Sequence, residues 1–90
     1  MKWYRKAAEQ GHARALDDLG LMYDKGEGVP EDDVAAYTWY SVAAASGDDE
    51  DRHNRDIIKD ELTPSQLEKG QVIAREIFER IEKRKAAEGQ

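Results

Sequence analysis

The chain has 90 residues, of which 39% are hydrophobic and 38% charged, and its formal net charge at pH 7 is −6. This length allows one small domain, and the sequence has no cysteine for disulfides and no apolar run of about 18 residues for a membrane span. Its 20 acidic residues outnumber its 14 basic ones and gather in residues 31–33 and 48–51, so we expect neither nucleic acid nor an anionic membrane, which bind clustered lysine and arginine, as a partner.

Part of the sequence repeats itself at a distance of 36 residues. The residues that recur are Trp3-Tyr4 as Trp39-Tyr40, Ala7-Ala8 as Ala43-Ala44, and Gly11 as Gly47. A fixed period of this length is typical of arrays in which helix pairs stack on one another. We therefore predict one domain, residues 1–90, in three parts. These are the second helix of a truncated repeat in residues 1–11, a complete repeat in residues 12–47, and a divergent repeat with a C-terminal cap in residues 48–90.

The first two predicted helices span residues 3–10 and 12–25. Gly11 separates them, because glycine readily adopts the positive φ found just past a helix end. Gly20 lies on the apolar face of the second helix, and we expect a neighbouring backbone to approach closely there, since a mid-helix glycine otherwise costs about 1 kcal/mol. At the start of the same helix, the ring of His12 is expected to help cap the free backbone N–H groups.

The third helix is predicted over about residues 31–46, after a loop that contains two glycines. Pro30 is expected at its start, where a missing N–H costs nothing, and Gly47 at its end. On the inward face of this helix, alanines permit close packing and Trp39 fills a wider gap between helices. The acids of residues 31–33 are expected to lie in solvent and to favour the helix dipole.

The fourth helix, from residue 48 to about residue 62, begins with a second acidic run, residues 48–51, for which we expect the same role. A strong local signal for a helix start follows. Thr63 is predicted to be the N-cap, Pro64 the first helical residue, and Gln66 the reciprocal partner in a capping box. The leucines at the spacing of a hydrophobic staple are Leu62 and Leu67.

The fifth helix is predicted from Pro64 to about residue 86. Because the turn before it is tight, the fourth and fifth helices are expected to fold back as an antiparallel hairpin. The apolar residues on one side of the fifth helix are Leu67, Ile73, Ala74, Ile77, Phe78 and Ile81. Its other side, with Arg75, Glu79 and Lys83, is expected to face water, so this helix forms the terminal cap of the array, and the polar residues 82–90 are expected to fray.

The titratable side chains show no arrangement typical of catalysis or of metal binding. General acid–base chemistry needs a carboxyl group with a raised pKa in an apolar pocket, and no acid is expected within an apolar stripe. His12 and His53 have no partner at metal-ligand spacing. We therefore predict no catalytic, cofactor-binding or metal-binding residue, and a small hydrolase is the most remote of three functional hypotheses.

A series of residues at fixed offsets defines the repeat more closely. They are Trp3-Tyr4-Arg5-Lys6-Ala7-Ala8-Glu9-Gln10-Gly11, then Ala13, Leu19-Gly20, Tyr23, Gly26, Gly28-Val29 and Ala36. This pattern closely resembles the Sel1-like repeat, a relative of the tetratricopeptide repeat, over residues 3–47, and residues 48–86 resemble a divergent C-terminal cap. The sequence departs from the family pattern in helix three, where Ser41-Val42 replaces the usual Arg-Lys and Ala45-Ser46 replaces Glu-Gln.

The resemblance implies an all-α fold, a right-handed α-solenoid of antiparallel helix hairpins with about two units, a truncated first repeat and a long C-terminal capping helix. It also implies a non-catalytic scaffold or adaptor that binds a peptide or protein segment in a concave groove. By analogy with tetratricopeptide arrays, the groove residues are Arg14, Asp17, Leu21, Asp24 and Lys25, and in the third unit Glu50, His53, Ile57, Asp60 and Glu61. Two exposed aliphatic side chains ringed by acids suit a peptide with an apolar anchor and basic flanks.

The alternative hypothesis is self-assembly. The half repeat places Trp3, Tyr4 and Ala7 on a helix face that no earlier helix covers, and the long fifth helix adds a second apolar stripe. Burial of both surfaces in a neighbouring copy would give a homodimer.

Overall fold

The computed structural model describes the backbone of residues 2–47 and 49–88, and their side chains apart from those of Lys2 and Tyr4. It contains five helices: α1 (Lys2–Glu9), α2 (Ala13–Lys25), α3 (Asp33–Ala45), α4 (Asp49–Lys59) and α5 (Pro64–Glu88). No strand occurs within these described residues, so the predicted all-α class is confirmed. The expectations for Tyr4 in a self-assembly face, for Asp48 in the acidic run and for the last two residues of the tail lie outside the described part of the chain.

Helix α3 is the central element of the fold. It packs against α2, α4 and α5, and its buried residues are Ala36, Tyr37, Thr38, Trp39, Tyr40, Val42, Ala43 and Ala44. These residues point in nearly every direction around the helix, which is the pattern expected of a helix enclosed by others. The core therefore lies around α3, and the predicted burial of Trp39 between helices is confirmed.

Two glycines in the neighbouring helices make room for the tyrosines of α3. A Cβ atom added at Gly20 would lie 2.5 Å from Cδ1 of Tyr40, and one added at Gly70 of α5 would lie 2.8 Å from Cδ1 of Tyr37. The close approach expected at Gly20 is thus present, but the prediction that a backbone makes it was wrong. A glycine in a helix indicates space for a neighbour without indicating whether a backbone or a ring fills that space.

Helix α3 begins two residues later than expected, because Asp32 is its N-cap. The carboxylate of Asp32 accepts a hydrogen bond of 3.0 Å from the backbone N–H of Ala35, and its own N–H donates to the carbonyl of Tyr23 over 3.0 Å. Pro30 consequently lies in the loop and does not start the helix. At the start of α2, His12 occupies the N-cap position without a side-chain hydrogen bond, so the expected capping by its ring was wrong.

The turn between α4 and α5 contains the predicted capping box. The N–H of Thr63 donates to the Gln66 side-chain oxygen over 2.9 Å, and the N–H of Gln66 donates to Oγ1 of Thr63 over 3.1 Å. Leu62 and Leu67 both pack against the cluster around Tyr40. Helix α4 ends at Lys59, earlier than expected, because the N–H groups of Glu61 and Leu62 donate to the carbonyls of Ile58 and Lys59 in tight turns.

Helices α4 and α5 both pack against α3, and this contact takes the place of the close packing expected between the two of them. The physical reason lies in their sequences. Helix α5 presents Gly70, Ala74, Ile77 and Ile81 at helical spacing, which forms one stripe that fits α3. Helix α4 buries only Asp51 and Ile58 and has little apolar surface to offer a second neighbour.

The far half of α5 passes over the turn between α1 and α2. A Cβ at Gly11 would lie 2.8 Å from Cγ2 of Ile81 and 2.8 Å from Cε of Lys85. The side chains expected to face water, Arg75, Glu79 and Lys83, are exposed. The helix continues to Glu88 with residues 82–88 exposed, so the fraying expected for this tail remains a prediction.

Candidate partner-binding surface

The side chain of Tyr40 connects the two helices on which a groove was predicted. Its ring is buried beneath α2 and α4, and its hydroxyl donates a hydrogen bond to the carboxylate of Asp24 on α2. Asp17, seven residues earlier on α2, and Asp51 of α4 lie close enough to act on the same hydroxyl electrostatically. Burial first, and then these three carboxylates, raise the pKa of Tyr40 well above its ordinary range, so the phenol is a hydrogen-bond donor at neutral pH.

Asp51 is the residue near Tyr40 that sequence reasoning placed wrongly. We expected it to be one of several solvated acids in the first turn of α4, and we expected no acid in an apolar stripe, but its side chain is fully buried. The 36-residue period contains the missed signal, since the position equivalent to Asp51 in the preceding unit is Ala15, which is also buried. A buried carboxylate is stable only when polar groups solvate it, which makes its placement near a tyrosine hydroxyl understandable.

The ten predicted groove residues lie in four settings. Arg14, Leu21 and Lys25 are exposed on α2, and Asp17 and Asp24 are half-buried beside Tyr40. On α4, His53 and Ile57 are exposed, as is Glu50. Asp60 and Glu61 are exposed too, but they lie in the turn after α4 and not on the helix itself. We call the set without Arg14 and Glu50 the α2–α4 surface: Asp17, Leu21, Asp24, Lys25, His53, Ile57, Asp60 and Glu61.

Two of the four large apolar side chains that are exposed among the described residues belong to this surface. Leu21 is 38% exposed and Ile57 is 52% exposed. Leu21 stands between Asp17 and Asp24 in an i, i+4, i+7 series, so the three share one face of α2. The arrangement is an aliphatic side chain with a carboxylate one helical turn away on each side.

Arg14 faces a different feature, a depression between α1 and α2. This depression has a volume of about 370 Å³, and the residues that line it are Trp3, Ala7, His12, Arg14, Ala15 and Asp18. Trp3 is 71% exposed at its edge. We call these six residues the Trp3 face.

Two other kinds of site are absent from the described residues. No described helix has the length and apolar character needed to cross a membrane. Within the same part of the chain, no group of three or more histidine, aspartate or glutamate side chains is arranged to hold a metal ion.

Comparison with known protein families agrees with this architecture. The Sel1 repeat matches residues 1–12 and 13–48, which is 48 of the 90 residues. The chain belongs to the Sel1-repeat family. Sel1 repeats generally mediate protein–protein interaction, and proteins built from them are typically non-catalytic adaptors.

Two bacterial proteins share part of this sequence. Each is described as an exopolysaccharide production negative regulator, one from Rhizobium leguminosarum bv. viciae and one from Rhizobium meliloti (strain 1021). Both are 46% identical over 44 residues, which is 49% of this chain and 16% of the relative. The similarity thus covers about half of this chain and a small part of each regulator.

Proposed function

We propose that this Sel1-repeat domain is a protein-binding module whose α2–α4 surface takes a peptide segment with an apolar anchor and basic flanks. The observation that carries the proposal is the placement of exposed Leu21 between half-buried Asp17 and Asp24 on one face of α2. An apolar contact with charges on both sides recognises a short segment more selectively than either element alone.

The carboxylates of this surface differ from ordinary surface acids. Asp24 accepts a hydrogen bond from Tyr40, whose ring is fixed against Gly20, so its position is held by the core. Asp17 is half-buried in the same place. A lysine or arginine that binds these groups forms charge-assisted hydrogen bonds to acceptors already in position, with less loss of side-chain entropy than at a freely moving acid.

The two aliphatic side chains supply the apolar part of the proposed contact. Leu21 and Ile57 belong to α2 and α4, which both pack on α3. Single exposed leucines are common on protein surfaces and need no function. A role for Leu21 therefore has to be tested against a matched apolar residue elsewhere on the chain.

The named relatives are consistent with this role. Both Rhizobium proteins are described as negative regulators of exopolysaccharide production, and each shares a stretch of 44 residues with this chain. Regulation through contact with another protein is a task that an interaction module performs, so we extend to this chain only the expectation of a protein partner.

The test is the binding of synthetic peptides, measured by fluorescence anisotropy. A peptide with a central leucine and lysine or arginine on both sides is compared with two others, one with glutamate flanks and one with serine in place of leucine. We expect the first to bind best. Leu21→Ser should weaken its binding roughly tenfold, since burial of a leucine side chain contributes about 1.5–3 kcal/mol when complete and less at a surface.

The matched control is Val72→Ser on α5, because Val72 is 42% exposed and lies outside the α2–α4 surface. The charge arm compares Asp17→Lys with Glu79→Lys on the outer side of α5, which changes the net charge equally. Equal affinity for acidic-flanked and basic-flanked peptides, or equal loss in Leu21→Ser and Val72→Ser, would contradict the proposal.

A further inference from the structure

A second groove lies between α1, α3 and α5, and we call it the α3–α5 groove. Its volume is about 360 Å³. Arg5 is the lining residue from α1, and the others come from residues 32–39 and from one side of α5. The groove shares no residue with the α2–α4 surface or with the Trp3 face.

The floor of this groove is apolar. Trp39 and Ile77 lie in it with exposures of 4% and 9%, and Val34 and Ile73 are half-buried beside them. Its volume falls near the lower end of the range of about 300–1,000 Å³ that is typical of small-molecule sites. A floor of this kind favours the apolar part of a ligand, such as one ring or a short chain.

The free polar groups at the groove are hydrogen-bond donors. Arg5 and Lys69 lie on different walls, and neither side chain forms an ion pair or a hydrogen bond with another described residue. The indole N–H of Trp39 also donates to no residue in the described part of the chain, and it is not one of the fully enclosed polar atoms. Since Trp39 is otherwise buried and lines the groove, this N–H is available to a ligand there.

The acceptors at the groove are partly engaged already. Oδ1 of Asp32 accepts a hydrogen bond from the N–H of Ala35, as described above. The hydroxyl of Thr38 donates to the carbonyl of Val34 over 2.7 Å. A ligand that offers further donors would therefore find few partners, whereas a ligand that offers acceptors would find three free donors.

The charges near the groove almost cancel one another. Arg5 and Lys69 against Asp32 leave the lining with one positive charge. The charged side chains one helical turn from a lining residue on α1 or α5 are Glu9, Glu76 and Arg80, which together add one negative charge. Lys6 lies beside Trp3 at another depression. Direct hydrogen bonds, and not a long-range field, therefore decide which ligand binds.

From these observations we propose that the α3–α5 groove binds a small organic anion, a carboxylate joined to one apolar ring or short chain. Arg5, Lys69 and the indole N–H of Trp39 donate to the carboxylate, whose two oxygens can accept all three hydrogen bonds. The apolar part of the ligand lies on Ile73 and Ile77. Inorganic phosphate lacks such a part, so it gains nothing from the floor of the groove.

The first test adds 3-phenylpropionate to the ¹⁵N-labelled chain and follows the ¹H–¹⁵N NMR spectrum. The sequence has two tryptophans, so the spectrum has two indole N–H signals, and Trp3→Phe assigns them. We expect the Trp39 signal to move downfield and to saturate with a Kd of roughly a millimolar or less, while the Trp3 signal stays in place. An unchanged Trp39 signal overturns the proposal.

The charge of the ligand is tested with 3-phenylpropanamide, a neutral compound of nearly the same shape. It should bind at least roughly tenfold more weakly than the acid, because charge-assisted hydrogen bonds are about twice as strong as neutral ones. Inorganic phosphate should also bind at least roughly tenfold more weakly. Equal affinity of the acid and the amide, or of the acid and phosphate, contradicts the proposed mode of binding.

The residues are tested by removal of one charge at a time. Arg5→Gln and Lys69→Gln should each weaken the binding of 3-phenylpropionate roughly tenfold. Their matched controls are Arg75→Gln and Lys83→Gln, which remove the same charges from exposed positions outside the groove and should leave the Kd unchanged within about twofold. Equal losses in the groove variants and in the controls would exclude direct contact with the anion.

Another occupant of this groove is an acidic segment of a protein, and a peptide with a glutamate beside a phenylalanine tests it. A chain that shifts the Trp39 signal with this peptide but not with 3-phenylpropionate contradicts our proposal. The basic-flanked leucine peptide should bind Arg5→Gln and Lys69→Gln as tightly as it binds the wild-type chain. The result for the α3–α5 groove is thus separate from the result for the α2–α4 surface.

Discussion

Trp39 and Trp3 occupy the same position of the repeat but differ in burial, which decides how much each side chain contributes to stability. Trp39 is buried among residues of α1, α2 and α5, whereas most of Trp3 is in solvent. Replacement of Trp39 by Ala should therefore cost about 3–5 kcal/mol, through lost burial and the cavity that remains. In a domain of 90 residues that loss removes most of the net stability.

The measurement for Trp39→Ala is urea unfolding followed by circular dichroism, at a protein concentration low enough that the chain is monomeric. Trp3→Ala is the control, because it deletes the same side chain at an exposed position and should change the unfolding free energy by less than about 1 kcal/mol. Similar losses in the two variants would show that the ring of Trp39 does not lie between helices.

A second prediction concerns Gly20, where replacement by alanine should destabilise the fold although the same change normally stabilises a helix. Glycine to alanine within a helix normally stabilises it by about 1 kcal/mol. Here the new Cβ would lie 2.5–3.0 Å from three ring atoms of buried Tyr40, so Gly20→Ala should destabilise the fold by about 1–3 kcal/mol.

A double-mutant cycle separates the two effects at Gly20. In a Tyr40→Leu background the ring is absent, and the same Gly20→Ala change should become neutral or stabilising in thermal unfolding. An equal loss in both backgrounds would mean that the overlap with Tyr40 does not set the cost.

The burial of Asp51 could not be predicted from its residue type and its position in the helix. An acid in the first turn of a helix is commonplace, so its type and position favoured a solvated side chain. Its burial follows from the repeat register, which places it where α2 has Ala15. The site around Tyr40 thus depends on a packing relation between units, and the residue types alone did not contain it.

At the scale of elements, local signals decided how well each helix could be predicted. The start of α5 was predicted correctly because the reciprocal hydrogen bonds of Thr63 and Gln66 involve residues only three apart. The start of α3 was misplaced because Asp32, Asp33 and Pro30 are all acceptable near a helix N-terminus. It was harder to predict which helices pack together. Helices α4 and α5 are joined by a tight turn, yet both pack on α3.

The capping box gives the prediction that belongs to this scale. Thr63→Ala removes the acceptor of the Gln66 N–H and should lower the unfolding free energy by about 1 kcal/mol, within the range of about 0.5–2 kcal/mol found for N-caps. Thermal unfolding measures it. Ser65→Ala, two residues on and outside the reciprocal pair, is the control and should change stability by a few tenths of a kcal/mol at most.

For the whole molecule, the 36-residue period predicted the class and the order of helices. The period predicted the packing of α4 and α5 less well, because the third unit has lost the apolar pattern of the second. Helix α4 keeps only two buried positions, and the long α5 covers α3 and reaches the α1–α2 turn near Gly11. This closure joins the two ends of the described chain through a single core.

A single core around α3 has a consequence for hydrogen exchange. The amides of α3 are hydrogen-bonded within a helix that three others enclose, so they should exchange only when the whole domain unfolds. Residues 82–88 at the end of α5 are helical but exposed, and local fraying should release them. We expect α3 amides to exchange at least about a hundredfold more slowly than those of residues 82–88, after correction for intrinsic rates.

Hydrogen exchange followed by NMR over several pH values checks this, with addition of a low urea concentration as the internal control. Exchange by global unfolding accelerates with urea, since the surface exposed on unfolding is large, whereas exchange by local fraying barely responds. Protection in α3 that equals that of residues 82–88, or α3 amides that ignore urea, would mean that α3 opens without the rest of the fold. In that case the contacts of Tyr40 with Gly20 and of Tyr37 with Gly70 would not be enough to keep α2 and α5 packed on α3.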